Sequence, residues 1–425
     1  MLSATMRFTR NYIINPPQSR RSLYFGSITH IVSDLHFALL YPLLPLIQRD
    51  MGLSFTEIGI LRASFSGASA VLQLPAGWIA DYTGEFWLLL LGNVWVSIGL
   101  VGMALATTFL WLLILSVVGG LGGGFQHPLA SGMVSRAYDD KGRSAAVGTV
   151  NFAGDLGKLL APPIVTAAIW AHPLFAARLG INFGWRQLLI VVGLISLILM
   201  ALATLTRRAV DIGKPVRETD EQQSAAANKA RMNGFVTLSG IGVLDSMARV
   251  GALTFIPFVL ISKDVSEPQA IGMMTFVFVG GAIGKFTVGW LGDRFSTVSL
   301  IWATKGLTAA LIALALYTPM TVETALLPGV PIPVMAPLLV ALGIGLNGTS
   351  SILYATVAEY VPASRRGRFY GSFYTTNEIG TVIAPIGYGR IADIFSLSSA
   401  MLIMGGATAL ILPVSLLLLT HKFSR

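Results

Sequence analysis

Apolar runs of about 20 residues, the length an α-helix needs to cross the hydrocarbon core of a bilayer at 1.5 Å per residue, recur along this whole chain. Read between charged or turn-rich breaks, they predict twelve membrane-spanning helices near 24–47, 55–80, 86–106, 109–135, 144–170, 185–206, 234–261, 268–291, 297–317, 334–360, 367–390 and 397–420. Only 12% of the 425 residues are charged, against roughly a quarter in a soluble domain. Such a chain cannot hide its apolar surface from water by folding alone, so lipid is its solvent. The fold class expected is an all-α polytopic membrane protein.

The formal charge of +9 is spread by loop rather than gathered on one compact basic face, which argues against nucleic acid as a partner. Alternate loops carry Arg7, Arg10, Arg20 and Arg21, then Arg136, Lys141 and Arg143, then Arg207, Arg208, Lys214, Arg217, Lys229 and Arg231. Arg294, Arg365, Arg366, Arg368, Lys422 and Arg425 continue that set. The other loops hold only Arg49, Arg178, Arg186, Lys263 and Arg390, giving 19 against 5. The positive-inside rule then puts both termini in the cytoplasm and requires an even number of spans, as for a bacterial inner-membrane protein. No cysteine is present, so disulfides and thiolate metal sites are excluded. The basic N-terminal stretch leads into a run long enough to span and without a small-residue cleavage site, which predicts an uncleaved first helix.

One long polar stretch, 207–233, reads as a cytoplasmic linker between an N-terminal half, 1–206, and a C-terminal half, 234–425. The halves repeat. At a shift of 223 positions Gly120, Gly122, Arg143, Gly148, Gly157, Ala161 and Pro162 fall on Gly343, Gly345, Arg366, Gly371, Gly380, Ala384 and Pro385, and Asp155 falls on Glu378. At a shift of 212, the stretch Gly77 to Asp81 falls on Gly289 to Asp293. Both blocks keep their orientation, so the halves are expected to be parallel repeats about an axis along the membrane normal.

On these residues the whole chain resembles the major facilitator superfamily. The G-x-x-x-D pattern of Gly77 to Asp81 and of Gly289 to Asp293 looks like that family's loop after the second span of each half, with Tyr82 in place of the usual Arg and Arg294 kept. Gly148, Gly154 and Gly157 followed by Pro162 and Pro163 resemble the glycine–proline motif of antiporters. Thr29-His30 with Asp34, Gly122 through Pro128, and Ala153 through Gly157 look most like the fosmidomycin-resistance group of bacterial efflux proteins. Leu129 and Asp155 depart from that group, which commonly has an acid and an Asn there. The resemblance implies twelve spans in two pseudo-symmetric halves. Spans 1, 4, 7 and 10 would line the cavity centre, 2, 5, 8 and 11 flank it, and 3, 6, 9 and 12 face lipid.

Charge at membrane depth costs about 2.5–3.5 kcal/mol per residue on insertion scales, so each such residue needs a reason. His30 and Asp34, four apart on one helix face, form a candidate proton-coupling pair, with the alternative of an internal hydrogen bond. Asp245 and Arg249 share that spacing, so Asp245 is a further candidate for proton coupling, with the alternative that the two simply neutralise each other. Asp155 and Lys158 lie three apart in span 5, and Glu378 in span 11 is the repeat mate of Asp155. The two carboxylates are expected to face one another, one pairing with Lys158 and the other exchanging protons. Lys158, Arg249 and Lys285 are candidate anion ligands. Lys305, in a span expected to face lipid, reads as snorkelling to the interface.

Tyr41, Gln126, His127, Asn151, Asn347, Tyr354, Tyr374 and Asn377 complete the candidate substrate lining, with helix packing as the alternative for each. Gln126-His127-Pro128 is expected to break its helix at the cavity wall. For gating, Asp81 is expected to latch to Arg365, Arg366 or Arg368, and Asp293 with Arg294 to do likewise near Arg136 and Arg143, with Arg62 as a further gate residue. No phosphate-binding loop, H-E-x-x-H pair or paired C-x-x-C occurs, so neither ATP drive nor an enzyme is expected, and no cofactor. The leading expectation is a monomeric secondary transporter that exports a small polar or anionic compound against protons. Proton-coupled uptake of a metabolite or metal chelate, and a non-transporting receptor or scaffold, are the alternatives.

Overall fold

The computed structural model describes residues 18–420 apart from 74, 139, 181, 210–224, 264, 325–326 and 362–365. Among the described residues the chain is helical almost throughout. The first half comprises α1 (Gln18–Met51), α2 (Phe55–Gln73), α3 (Ala76–Thr83), α4 (Glu85–Leu105), α5 (Phe109–Leu121), α6 (Gln126–Ala137), α7 (Asp140–Leu179) and α8 (Trp185–Ala203). The second comprises α9 (Ala225–Ile261), α10 (Glu267–Leu291), α11 (Thr297–Tyr317), α12 (Met335–Tyr360), α13 (Arg366–Ile394), α14 (Leu397–Ala409) and α15 (Ile411–Thr420). Three expected spans are each built from two helices: α2 with α3, α5 with α6, and α14 with α15. Twelve crossings result. Among the described residues ten helical stretches are long and apolar enough to cross a membrane by composition, and α2 and α13 are not among them. A small antiparallel hairpin of β1 (Thr321–Thr324) and β2 (Leu327–Pro333), which the apolar pattern does not announce, joins α11 to α12. Within the expected 207–233 linker, residues 225–233 are already helical and belong to α9.

Helix contacts reproduce the repeat. A side chain at Gly120 would strike the Phe65 carbonyl, and one at Gly343 the Val277 carbonyl. Gly157 lies against the backbone of Ile31 and Leu35, and Gly380 against that of Val243 and Met247. Gly122 meets the Gly92 carbonyl, and Gly345 the Thr304 carbonyl. Each contact pair joins a residue moved by 223 to one moved by 212, the two shifts seen in the sequence. Small residues are conserved between the halves because two backbones touch there, and in lipid close packing of this kind does the work of the hydrophobic effect. Even the helix starts match: Ser54 and Glu57 form a capping box before α2, and Ser266 and Gln269 form one before α10.

One hydrophobic core joins both halves at the end of the molecule away from the 210–224 connection. Two separate cores, one per half, occupy the connection end. Side chains added at Gly77, Gly148 or Gly371 on that end would meet open space. The halves are therefore sealed at one end and parted at the other. Gly59 packs on the Pro385 backbone at the seal, and the Asp393 carboxylate of α13 accepts from the Phe55 and Thr56 amides at 2.9 and 2.8 Å, as well as from the Thr56 hydroxyl. Arg49 pairs with Glu267 at 2.7 Å beside it. A carboxylate from one half thus caps a helix N-terminus of the other.

Asp393→Ala should loosen this seal by about 1 kcal/mol. In the cysteine-free chain, a cavity cysteine placed by Leu253→Cys should then react roughly fivefold faster with an impermeant maleimide from the sealed side. Unchanged labelling would show that the cap does not hold the seal.

Candidate functional site

A cavity of about 480 Å³ lies between the halves under the seal. Helices α1, α2 and α7 wall it on one side and α9, α10, α12 and α13 on the other, while the glycine turn Gly122–Phe125 comes in at the first-half wall. Every charge placed there by sequence reasoning is present except Asp245: His30, Asp34, Asp155, Lys158, Arg249, Lys285 and Glu378 all line it, together with Tyr41, His127, Asn151, Asn347, Tyr354 and Tyr374.

The first-half wall is a chain of ion pairs. Asp34 accepts Lys158 at 2.8 Å, with His30 at 3.6 Å and His127 at 3.8 Å around the same carboxylate. Lys158 also reaches Asp155 at 3.3 Å, and Lys285 crosses from the second half to Asp155 at 2.5 Å. Gly154 makes room for this: a side chain there would collide with the Asp34 carboxylate and the His30 ring. The two imidazoles meet edge to face, 5.0 Å between centres.

The opposite wall is aromatic and cationic. Tyr354 and Tyr374 stack at 4.6 Å, and Arg249 donates to Ser246 at 3.2 Å and, among the described residues, reaches no carboxylate at ion-pair distance. Under the seal, Arg62 stacks over the Tyr41 ring at 4.1 Å and donates to the Tyr41 and Ser66 hydroxyls. Glu378 lines the same cavity, together with Gln73, Thr381, Arg62 and Arg249. Four cations, Arg62, Lys158, Arg249 and Lys285, therefore face three carboxylates, Asp34, Asp155 and Glu378. Counting histidine as uncharged, the cavity carries one positive charge in excess.

Several expectations are corrected. Lys158 pairs with one carboxylate of the repeat pair, Asp155, in line with expectation; what was not expected is that it also bridges to Asp34, because α1 packs directly on α7 through Gly157. Asp245 does not pair with Arg249. It is buried against Lys305 at 2.5 Å, and Lys305 is fully buried rather than snorkelling, also donating to the Gly345 carbonyl at 3.2 Å. Gln126 points away from the cavity, its amide bonded to Asn93 at 3.1 Å and to Thr29 at 3.3 Å. Asn377 is buried against Gly242 of α9 and does not line the cavity, so it supports the wall instead of forming it. The break in span 4 falls at Gly122–Phe125, a 3-10 turn, where Gly122, Gly123 and Gly124 lie against Gly92, Phe37 and Ser69; Pro128 sits in the first turn of α6, where no amide is needed. Arg62 lies inside the cavity rather than at its outer gate.

Of the proposed latches, the side chains of Asp81, Arg143, Arg365, Arg366 and Arg368 lie outside the described residues. Arg136 pairs with Glu85 within its own half, and Arg294 stacks on Trp290 at 3.9 Å, so neither joins the Asp293 latch expected of it.

The Major Facilitator Superfamily model matches residues 26–327 and 238–424. The chain belongs to this superfamily. It is 24% identical to the D-galactonate transporter of Escherichia coli O6:H1 over 89% of this chain and 90% of that one. It is 28% identical to the uncharacterized MFS-type transporter YfnC of Bacillus subtilis over 63% of this chain, spanning 64% of that protein's length. A match to the fosmidomycin resistance protein of Escherichia coli K12 reaches 32% identity but covers 33% of this chain and 35% of that one. Among solved structures, a bacterial homologue of the human lysosomal transporter Spinster, in an inward-facing and occupied conformation, superposes with a TM-score of 0.77 at 17% identity, covering 95% of this chain and 98% of that one. The superfamily comprises transporters, so this chain is a membrane transporter and not an enzyme.

Asp155 is the one carboxylate held by lysines of both halves. Asp155→Ala should leave two ammoniums opposed and lower stability by about 1–3 kcal/mol, with a matching fall in melting temperature in detergent. Adding Lys285→Gln should recover part of it. An additive double-mutant cycle would show that the pair does not couple the halves.

Proposed function

We propose that the chain is a secondary active transporter that moves a small organic anion together with protons by alternating access. The carrying observation is the unmatched positive charge of the cavity, displayed by Arg249 on the wall of the stacked tyrosines and by Arg62 under the seal, where an acidic head group gains charge-assisted hydrogen bonds and its remainder packs on the rings. A cavity of about 480 Å³ suits a sugar acid or a similar metabolite. The galactonate named for the relative matched over most of its length is such a compound.

Proton coupling rests on Asp34. Its carboxylate shares Lys158 and two imidazoles at one point, so a proton taken up there can replace an ammonium as its partner. A proton bound on this wall makes the cavity more positive and favours an anion in it. Proton and anion thus bind cooperatively, which supports symport. The 19-to-5 distribution of basic residues supports a cytoplasmic location for the parted end and for both termini, and with it the reading of this conformation as inward-open in a cell membrane. Export by proton exchange is the second reading, favoured by the local match to the fosmidomycin resistance protein.

Proteoliposomes holding a pH gradient decide between these. D-galactonate, a sulfonate or a phosphonate should accumulate with inward proton flow, and cationic drugs should not. Asp34→Asn and Glu378→Gln should abolish the coupled proton movement, and Arg249→Gln should raise KM about 10- to 100-fold. Anion flux opposite to the proton flux would establish export, and transport of cations alone would overturn the anion reading.

A further inference from the structure

At the 212-residue shift Asp245, Arg249 and Lys305 of the second half fall on Ser33, Phe37 and Asn93 of the first. The surrounding backbones superimpose in their contacts, since the Gly92 and Thr304 carbonyls occupy matching places against Gly122 and Gly345. The first half fills all three places without a charge. Asn93 is buried and donates to the Leu89 carbonyl at 2.8 Å and to Gln126 at 3.1 Å, and that suffices to tie its span to the next. Helix packing therefore does not call for the three charges in the second half.

Their arrangement suggests what does. Asp245 and Arg249 lie one turn apart on α9, the spacing at which a carboxylate and a guanidinium pair most readily. Yet the pair is not made. Lys305 reaches across from α11 and takes Asp245 at 2.5 Å, completely buried, while Arg249 turns to the cavity, where among the described residues the Ser246 hydroxyl is its hydrogen-bond partner. A guanidinium bound to Asp245 would present no net charge to a ligand.

We propose that Lys305 is a positioning residue that occupies Asp245 and thereby holds Arg249 free for the acidic head of the transported anion. This rests on the anion reading above. The buried pair is neutral, so the charge of the three residues is delivered whole at the cavity wall. Lys305 sets anion affinity without touching the ligand.

The test uses the full-length protein in detergent, as wild type, Lys305→Met, and Lys305→Met with Asp245→Asn. Phenylglyoxal modification of Arg249, read by peptide mass spectrometry, reports its freedom whatever the substrate is. In Lys305→Met, Arg249 should turn to Asp245 and react about 10-fold more slowly, and the KM for D-galactonate uptake should rise about 10- to 100-fold. The double variant should return both to within about twofold of wild type. Equal Arg249 reactivity in folded wild type and Lys305→Met would overturn the proposal. So would a Lys305→Met protein that fails to fold and is rescued by Asp245→Asn, because Arg249 would then have left Asp245 unpaired. The expected phenylglyoxal pattern in a protein that transports no anion would sink the anion reading and leave the partner exchange standing.

Discussion

Charge in a membrane must be paid for locally, and the architecture of this transporter follows from how nine intramembrane charges are accommodated. Five cations and four carboxylates sit on the spans. Asp245 and Lys305 are sealed together inside the second half. Asp34, Asp155, Lys158 and Lys285 form a continuous chain along the cavity wall, two acids against two bases. Neither arrangement is reachable unless helices approach to backbone contact. Gly154 and Gly157 bring α7 onto α1 so that Lys158 can reach Asp34, and Gly345 lets α12 lie against α11 where Lys305 donates to its carbonyl. The glycines and the charges are one device.

Much of this was legible in the sequence because the bilayer makes its signals coarse. Apolar runs define spans to within a few residues, with the larger errors at ends that project beyond the hydrocarbon, such as α1 and α7. A charged residue in such a run is rare enough to mark the cavity, which is why Asp34, Asp155, Lys158, Arg249 and Glu378 were found. Pairing was not legible. The i,i+4 spacing of Asp245 and Arg249 shows that they can meet, but nothing along one helix reveals a competitor on another. Lys305 was assigned to lipid from the usual place of its span, whereas its rotation about the α11 axis points it inward. Gln126 and Asn377 were misread for a related reason: a polar group near a cavity can serve the neighbouring helix as well as the lumen, and only packing decides which.

The repeat supplies a scaffold whose two copies have diverged in chemistry while retaining their contacts. Asp155 and Glu378 occupy equivalent sites, yet the first is held by two ammoniums, while the second makes no ion pair among the described residues. The first half contributes acids, imidazoles and Lys158; the second contributes arginine and the stacked tyrosines. A ligand lying between them meets different surfaces on its two sides, so the pseudo-symmetry that permits rocking does not impose a symmetric site.

The connection between occupancy and motion lies at Asp155. Its 2.5 Å contact with Lys285 is made across the halves, inside the cavity, whereas the Asp393 cap and the Arg49–Glu267 pair hold the far end. An anion drawn to Lys285 competes with Asp155 for the same ammonium. Because a ligand shifts a conformational equilibrium only through its differential interaction with the two states, that competition gives occupancy a direct purchase on the distance between the halves. The released Asp155 keeps Lys158, which in turn is drawn away from Asp34. On the proposed anion reading, filling of the site would thereby be transmitted, through two lysines and two carboxylates in contact, to Asp34, the carboxylate proposed to take a proton.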